Sequence, residues 1–207
     1  MCINMNSRIL SVFKIASIIA CFTFFIVGFN HDQDIDDFVY AVAIGIDSGE
    51  NNNLKVHFQF TRPTSSEGGS SSEPAPTFIY TVEASSITSA INLINNYVSK
   101  QVNLSHCKVI VFSEELAEKG IAKEIYDLAN NVQIRPDVGI IVCKCNSKYF
   151  IQNSKPIFET LISKYYEIVP ATTEITGYTA YIKLADFLNQ LNCKTCEPSA
   201  ILRRNYK

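Results

Sequence analysis

Residues Phe38–Ile46, Phe-Val-Tyr-Ala-Val-Ala-Ile-Gly-Ile, carry no charge and are interrupted only by Gly45. Asp34, Asp36 and Asp37 stand before the run, and Asp47-Ser48-Gly49 closes it. β-Branched and aromatic residues between turn formers read as a strand. A strand with almost no polar alternation is one covered on both faces, at the centre of a sheet. A buried helix shows the same apolarity, but the short length and the Gly49 stop favour the strand. The rest of the chain must then supply neighbouring strands and a covering layer on each side.

The sequence after Gly49 supplies such elements in order. Asn51–Asn53 reads as a turn into Leu54–Thr61, which alternates apolar and polar and suits the hairpin partner of Val39–Ile46. Val56, Phe58 and Phe60 share one face, and Lys55, His57 and Gln59 share the other, so His57 is expected to be solvated. Pro63–Pro76 is rich in Ser, Gly, Glu and Pro and reads as a flexible insertion. Thr77–Glu83 is a third alternating strand. Ser85 or Ser86 caps a helix over Ile87–Val98, whose stripe is Ile87, Ala90, Ile91, Ile94, Tyr97 and Val98.

Cys107–Phe112 and Val138–Cys143 read as further apolar strands, each preceded by helix. Ser113 caps Glu114–Lys119, Gly120 suits a left-handed stop, and Ile121–Ala129 continues helically. Strands separated by helices imply crossover connections, hence an α+β fold with a mixed β-sheet flanked by helices. Pro156 suits the first turn of a helix over Ile157–Tyr166, followed by a loop with Pro170 and Gly177. Leu184–Leu191 is a last amphipathic helix, and Ile201–Lys207 is expected to add no closing sheet element.

The N-terminal stretch has a different character. Ile9–Phe29 is apolar apart from Lys14 and a few Ser and Thr, and Arg8 precedes it. A basic start followed by an apolar run is a signal peptide or an N-terminal anchor. From Ile9 the run approaches the roughly 20 residues that a membrane-spanning helix needs. Arg8 and Lys14 would stay inside and His31 onward outside. Ile18-Ile19-Ala20-Cys21 also fits a lipoprotein signal, with Cys21 as the acylated residue. An uncleaved anchor is the first reading and lipidation at Cys21 the second, because cleavage there leaves the apolar run Phe22–Phe29 behind the lipid.

The chain divides accordingly into a signal or anchor at 1–29, an α/β-type domain at 30–154 with its insertion at 63–76, and a linker with the start of a second domain at 155–207. A formal net charge of −2 and no Lys/Arg stripe give nucleic acid no electrostatic footprint. Cys193-Lys-Thr-Cys196 is the one two-spaced cysteine pair among seven cysteines. Free thiols are the first expectation there, a disulfide the second, and a zinc site the third, since zinc wants about four ligands. His106 beside Cys107 does not make a nucleophile pair, since neighbours on a strand face opposite ways. Asp34, Asp36 and Asp37 lack the ligand spacing of a calcium loop. No cofactor motif and no catalytic constellation stands out, so the chain is expected not to be an enzyme.

Four stretches together resemble the C-subunit lipoproteins of bacterial spore germination receptors, the Ger(x)C family. They are Asp34–Phe38 running into Ala43–Asp47, Ser105–Ala117 with Gly120-Ile121, Ile134–Asp137 leading into Val138–Cys143, and Lys183–Leu188. The resemblance implies a non-enzymatic subunit of a nutrient germinant receptor. It implies membrane lipid and the membrane-spanning A and B subunits as partners, at the extracytoplasmic face of the inner spore membrane. Under it, Asp34, Asp36 and Asp37 become docking residues. The family's lipid-accepting cysteine falls at Phe29 here, and the family continues beyond the point where this chain stops, so the chain is expected to be its truncated N-terminal portion. The alternative is another membrane-tethered extracytoplasmic protein with a thiol or zinc site at Cys193 and Cys196.

The insertion yields a direct test. Pro63–Pro76 holds almost no apolar surface to bury. Replacing it with a Gly/Ser linker of half the length should move stability by only about 0.6 kcal/mol in urea unfolding. A loss of several kcal/mol would show that it packs.

Overall fold

Strand β1, Phe38–Ser48, is buried from Ala41 to Asp47, as its apolar run requires. The computed structural model describes residues 3–27, 37–61, 76–156, 159, 161–177 and 181–203. On one edge β1 pairs antiparallel with β2, Leu54–Thr61, the expected hairpin. Their turn places Asn51 and Asn52 at φ of 51° and 62°, a left-handed conformation that asparagine tolerates. β2 pairs antiparallel with β3, Thr77–Ala84.

The other edge of β1 is shared. β4, Gln101–Asn103, runs parallel beside Phe38–Tyr40, and β5, Val109–Ser113, runs parallel beside Ala43–Ile46. β5 pairs parallel with β6, Gly139–Cys143. The far edge of β6 is shared as well, by antiparallel β7, Ile182–Lys183, and parallel β8, Ile201–Arg203. The main order is β3-β2-β1-β5-β6-β7. The sheet is mixed: β1, β2 and β3 pair antiparallel in sequence and β7 runs antiparallel to β6, whereas β4 and β5 run parallel to β1, and β6 and β8 continue in parallel.

Helices cover both faces. Over the first face lie α2 (Ile87–Tyr97), α3 (Glu114–Lys119), α4 (Ala122–Ala129) and α7 (Leu184–Asn192), which bury Ile94, Leu116, Ile125 and Phe187 against Ile44, Phe58 and Phe112. Over the second lie α5 (Ser147–Asn153) and α6 (Ile162–Thr176), which bury Phe150, Ile151, Ile162 and Tyr166 against Ala43, Val109, Val111 and Ile141. A bulge in β1 pairs Ala41 with Phe60 and Ala43 with Gln59, leaving Val42 as the extra residue. Ala41 and Ile44 therefore both enter the first core, while Val42 and Ala43 both enter the second.

Local chemistry sets the helix starts. Ser86 accepts from Ser89 N–H, Ser113 from Leu116 N–H and Asn146 from Lys148 N–H. Gly120 has φ of 96°, so it ends α3 without Cβ strain. Along α2 the expected stripe is buried except at its end, where Tyr97 is 70% exposed.

Several expectations are corrected. The helix expected over Ile157–Tyr166 begins instead at Ile162 and runs through Pro170, where the sequence reads as a loop. Its seat is set by Ile162 and Tyr166, one turn apart and buried on the second face, and this packing outweighs the local Pro156 start signal. α5 was not foreseen. The chain does add a late sheet element, β8: β7 and β8 both pair with β6, and they lie with α7 in the compact unit Phe38–Lys207. β4, β7 and β8 are two or three residues long, too short to show any periodicity.

The other compact unit is Met1–Asp37. Its expected signal or anchor segment forms helix α1, Ile3–Val27, of 25 residues. Among the described residues no helix is long and apolar enough to cross a membrane. The Pro63–Pro76 insertion lies outside the described residues save its last proline.

Gly45 is where α5 meets β1. A Cβ built on Gly45 would lie 2.6 Å from Ser147 Oγ and 2.8 Å from Ile151 Cδ1. Gly45→Val should therefore push α5 off the sheet and lower stability by about 1–3 kcal/mol in urea unfolding, despite valine's better strand propensity. Unchanged stability would show that α5 does not sit on Gly45.

Candidate functional site

The register brings the carboxyl ends of the three long parallel strands together. Ile46 lies beside Phe112, and Ser113 beside Cys143. Loops beyond such ends form the usual ligand crevice of parallel sheets. Here they enclose a polar depression of about 280 Å³ lined by Asp47, Ser48, Ser113, Glu114, Lys144 and Asn146. Lys144 pairs with Glu114 at 3.5 Å, and Lys119 reaches Glu115 at 2.7 Å and Ser48 Oγ at 3.0 Å.

Asp47 is the buried member of this end, at 4% exposure. Its Oδ1 accepts from Ser147 N–H at 2.8 Å, and its Oδ2 lies 3.0 Å from His57 Nε2. Burial pushes the Asp47 carboxyl up, but the hydrogen bonds from His57 and Ser147 outweigh it and hold it below the ordinary aspartate value of 3.8. An ionised Asp47 accepts only, so His57 Nε2 carries a hydrogen. His57 Nδ1 lies 2.8 Å from Thr81 Oγ1, whose hydroxyl donates to it when the ring is neutral. The chain Thr81–His57–Asp47–Ser147 thus ties β3, β2, β1 and α5.

His57 corrects the sequence reading. It is 3% exposed, not solvated, because α5 and α6 close the face on which Lys55, His57 and Gln59 lie. Gln59 is buried on the same face and accepts from Tyr166 O–H at 3.0 Å. Alternation in β2 reported two chemically different faces. It could not report that the polar one is covered.

The opposite end of the sheet is apolar. Phe38 pairs with Gln101, Tyr40 with Thr61, and Thr61 with Thr77, so the start of β1, the end of β2 and the start of β3 lie together. Phe38, Val39, Phe60, Phe78, Tyr80 and Val98, with Lys100, line a groove of about 220 Å³ there. α2 covers Val82 and Ala84 further along β3, but Phe78 and Tyr80 each remain 45% exposed.

Five of the cysteines separate into three kinds. Cys193 and Cys196, expected as free thiols, form a disulfide at the end of α7. Cys107 and Cys143 are buried, and burial pushes each thiol up to about 12. Their Sγ atoms donate to Val109 O and Cys145 O, so both are held neutral and unreactive. Cys21 is an exposed free cysteine on α1. Among the described residues no group of three or more His, Cys, Asp or Glu is placed to hold a metal ion. Asp37 is exposed, and Asp34 and Asp36 lie outside the described residues. His106 packs edge-on to Tyr40, with ring centroids 4.7 Å apart.

Comparison with known proteins adds an external constraint. The family described as spore germination protein N-terminal domain matches residues 31–202. The chain is also similar to spore germination protein KC of Bacillus subtilis (strain 168), with 24% identity over 172 residues. That match covers 80% of this chain and 42% of the relative, so the chain spans less than half of the relative's length. No solved structure matches it.

The buried carboxylate makes stability depend on pH with a definite sign. A lowered carboxyl value in the folded state adds stability that is whole above the ordinary value of 3.8 and is lost as pH falls through the lowered one. Asp47→Ala should cost about 1–3 kcal/mol for each partner left unpaired, His57 Nε2 and Ser147 N–H. Urea unfolding at neutral pH and near pH 3 should show the gap between parent and variant narrowing in acid. A gap that does not narrow would mean that Asp47 is not ionised in the fold.

Proposed function

Because the chain belongs to the family described as spore germination protein N-terminal domain, we propose that it is a non-enzymatic, membrane-associated subunit of a nutrient germinant receptor. In this reading it acts in spore germination at the extracytoplasmic face of the inner spore membrane, beside membrane-spanning A and B subunits. The observation that carries the proposal is the extent of the match. Residues 31–202 run from before β1 into β8, so the whole sheet and its helices on both faces fall within the family's domain.

The chemistry of the fold supports a binding role. Asp47 and His57, the pair most like catalytic groups, are used up holding strands and α5 together. The buried thiols are un-ionised. The Cys193–Cys196 disulfide suits an oxidising, extracytoplasmic compartment. It also leaves no free thiols for the alternative zinc or thiol site at those positions. In the proposed arrangement α1, or a lipid on Cys21, holds the chain at the membrane, and Asp34, Asp36 and Asp37 dock a receptor subunit just before β1.

The test is co-purification from detergent-extracted spore membranes, with intact-mass measurement of the recovered chain. A- and B-type subunits should accompany the parent protein. The chain's mass should be that of the full length or of a lipidated form beginning at Cys21. Asn variants of Asp34, Asp36 and Asp37 should fold normally and lose most of the partner recovery. Partner recovery at parental levels removes the docking role. A soluble, unlipidated chain beginning after Gly28 removes both forms of attachment.

A further inference from the structure

We propose that the Cys193–Cys196 disulfide is a thiol-exchange site, and that its redox state sets how firmly β8 is held on the sheet. The bond spans three positions and follows directly on α7. In the chain-entropy account a disulfide stabilises a fold by closing a loop in the unfolded chain, and the gain grows with loop length. A loop this short adds little to the whole domain, and it joins no two elements distant in sequence. What it fixes is local: the direction in which the chain leaves α7 on its way to β8, Ile201–Arg203. The bond is also open to attack. Residues 194–199, Cys196 among them, are all exposed, and Cys193 is half-buried. Exposed disulfides are the ones that small thiols reach and reduce.

The exchange needs only small thiols of the glutathione class, which supply the electrons. A thiolate attacks Cys196 Sγ, on the exposed residue of the pair. A new S–S bond forms there as the Cys193–Cys196 bond breaks, and the electron pair leaves on Cys193 Sγ. Thr195 Oγ1 lies 3.6 Å from that sulfur. A bonded sulfur carries no hydrogen, so the Thr195 hydroxyl is the donor, and it can donate equally to the departing thiolate. Lys194, between the two cysteines in sequence, adds positive charge that favours a leaving sulfur. A second thiolate then attacks the sulfur of the first, releasing Cys196 and a small-molecule disulfide. Two small thiols are oxidised, the protein disulfide is reduced, and the protons of the two thiols pass to the two cysteines.

The segment that follows has few other ties among the described residues. Ser199 N–H donates to Gln190 Oε1 at 3.0 Å. Pro198, Ala200 and Leu202 stand with Val142, Phe187 and Leu191 around an open cavity of about 420 Å³, so the segment is loosely packed on α7 and β6. β8 is three residues long and pairs with Ile141–Cys143, and Lys144 N–H donates to Arg203 O. With the disulfide open, this short parallel pairing must hold β8 with little help from the turn before it.

A tryptic digest reads the bond directly. Trypsin cuts after Lys183, Lys194 and Arg203, so the oxidised chain gives residues 184–194 and 195–203 as one disulfide-linked pair, and the reduced chain gives them apart. The full chain in detergent is equilibrated in buffers of reduced and oxidised glutathione, trapped with N-ethylmaleimide and digested, and amide hydrogen exchange is followed in parallel. The expected result is conversion from linked to separate peptides within the glutathione range while the chain stays folded. Exchange should then be several-fold faster in residues 201–203 and 141–144 and unchanged in β1 and β5. The double variant Cys193→Ser with Cys196→Ser should exchange like the reduced parent in every buffer. Peptides that stay linked in excess reduced glutathione until the chain is unfolded overturn the exchange site. Reduction that leaves exchange in β8 unchanged overturns the hold on β8. Reduction that speeds exchange throughout the sheet overturns it as well and makes the bond a staple of the whole fold. Every outcome is read on this chain alone, so none depends on membrane attachment or on receptor partners.

Discussion

A strand covered on both faces cannot leave any polar atom to water, and β1 carries this constraint for the whole sheet. Its edges are taken by β2 on one side and by β4 and β5 in succession on the other. Its one buried charge, Asp47, is met by His57 and by Ser147 N–H. Without α5 that carboxylate would lose a donor, and without Gly45 α5 could not come close enough to give one. The apolar run, the glycine and the acid at its end therefore act as one unit. Each makes sense only if the second face is closed by helix.

The same strand separates two chemistries. Its carboxyl end opens into a depression lined by acids, lysine and serine. Its amino end, where the chain arrives from α1, opens into an aromatic groove. Because β4 stops after three residues and β5 takes over further along, the Phe38 end of the sheet is thinner than its centre. That thin end is also where α2 runs out, so large apolar side chains there are left half covered.

Legibility followed length and local chemistry. β1, β2, β3, β5, β6, α2, α3, α4 and α7 were readable because each is long enough to show a pattern or carries a cap such as Ser86 or Ser113. α6 was misplaced because its register answers to Ile162 and Tyr166 meeting the second face, while the sequence around Pro156 and Pro170 signals turns. The candidate site was less legible than the fold. Asp47 was visible only as the end of an apolar run. His57 was visible only as one of three polar residues on an alternating strand, Lys55, His57 and Gln59, which ordinarily face water.

Binary patterning, turn formers and capping residues by themselves determined that this chain builds a mixed sheet around Phe38–Ser48, with crossover helices between its parallel strands. These signals are local, and the periods of strand and helix differ enough to be told apart. Tertiary structure alone decided which polar residues are buried, that Cys193 and Cys196 are bonded to each other, and that Val42 is a bulge. It also decided that the two ends of the sheet differ so sharply. The burial of these polar residues depends on what packs from a distant part of the chain, Ser147 against Asp47 across a separation of 100 residues being the clearest case. No local propensity encodes that meeting.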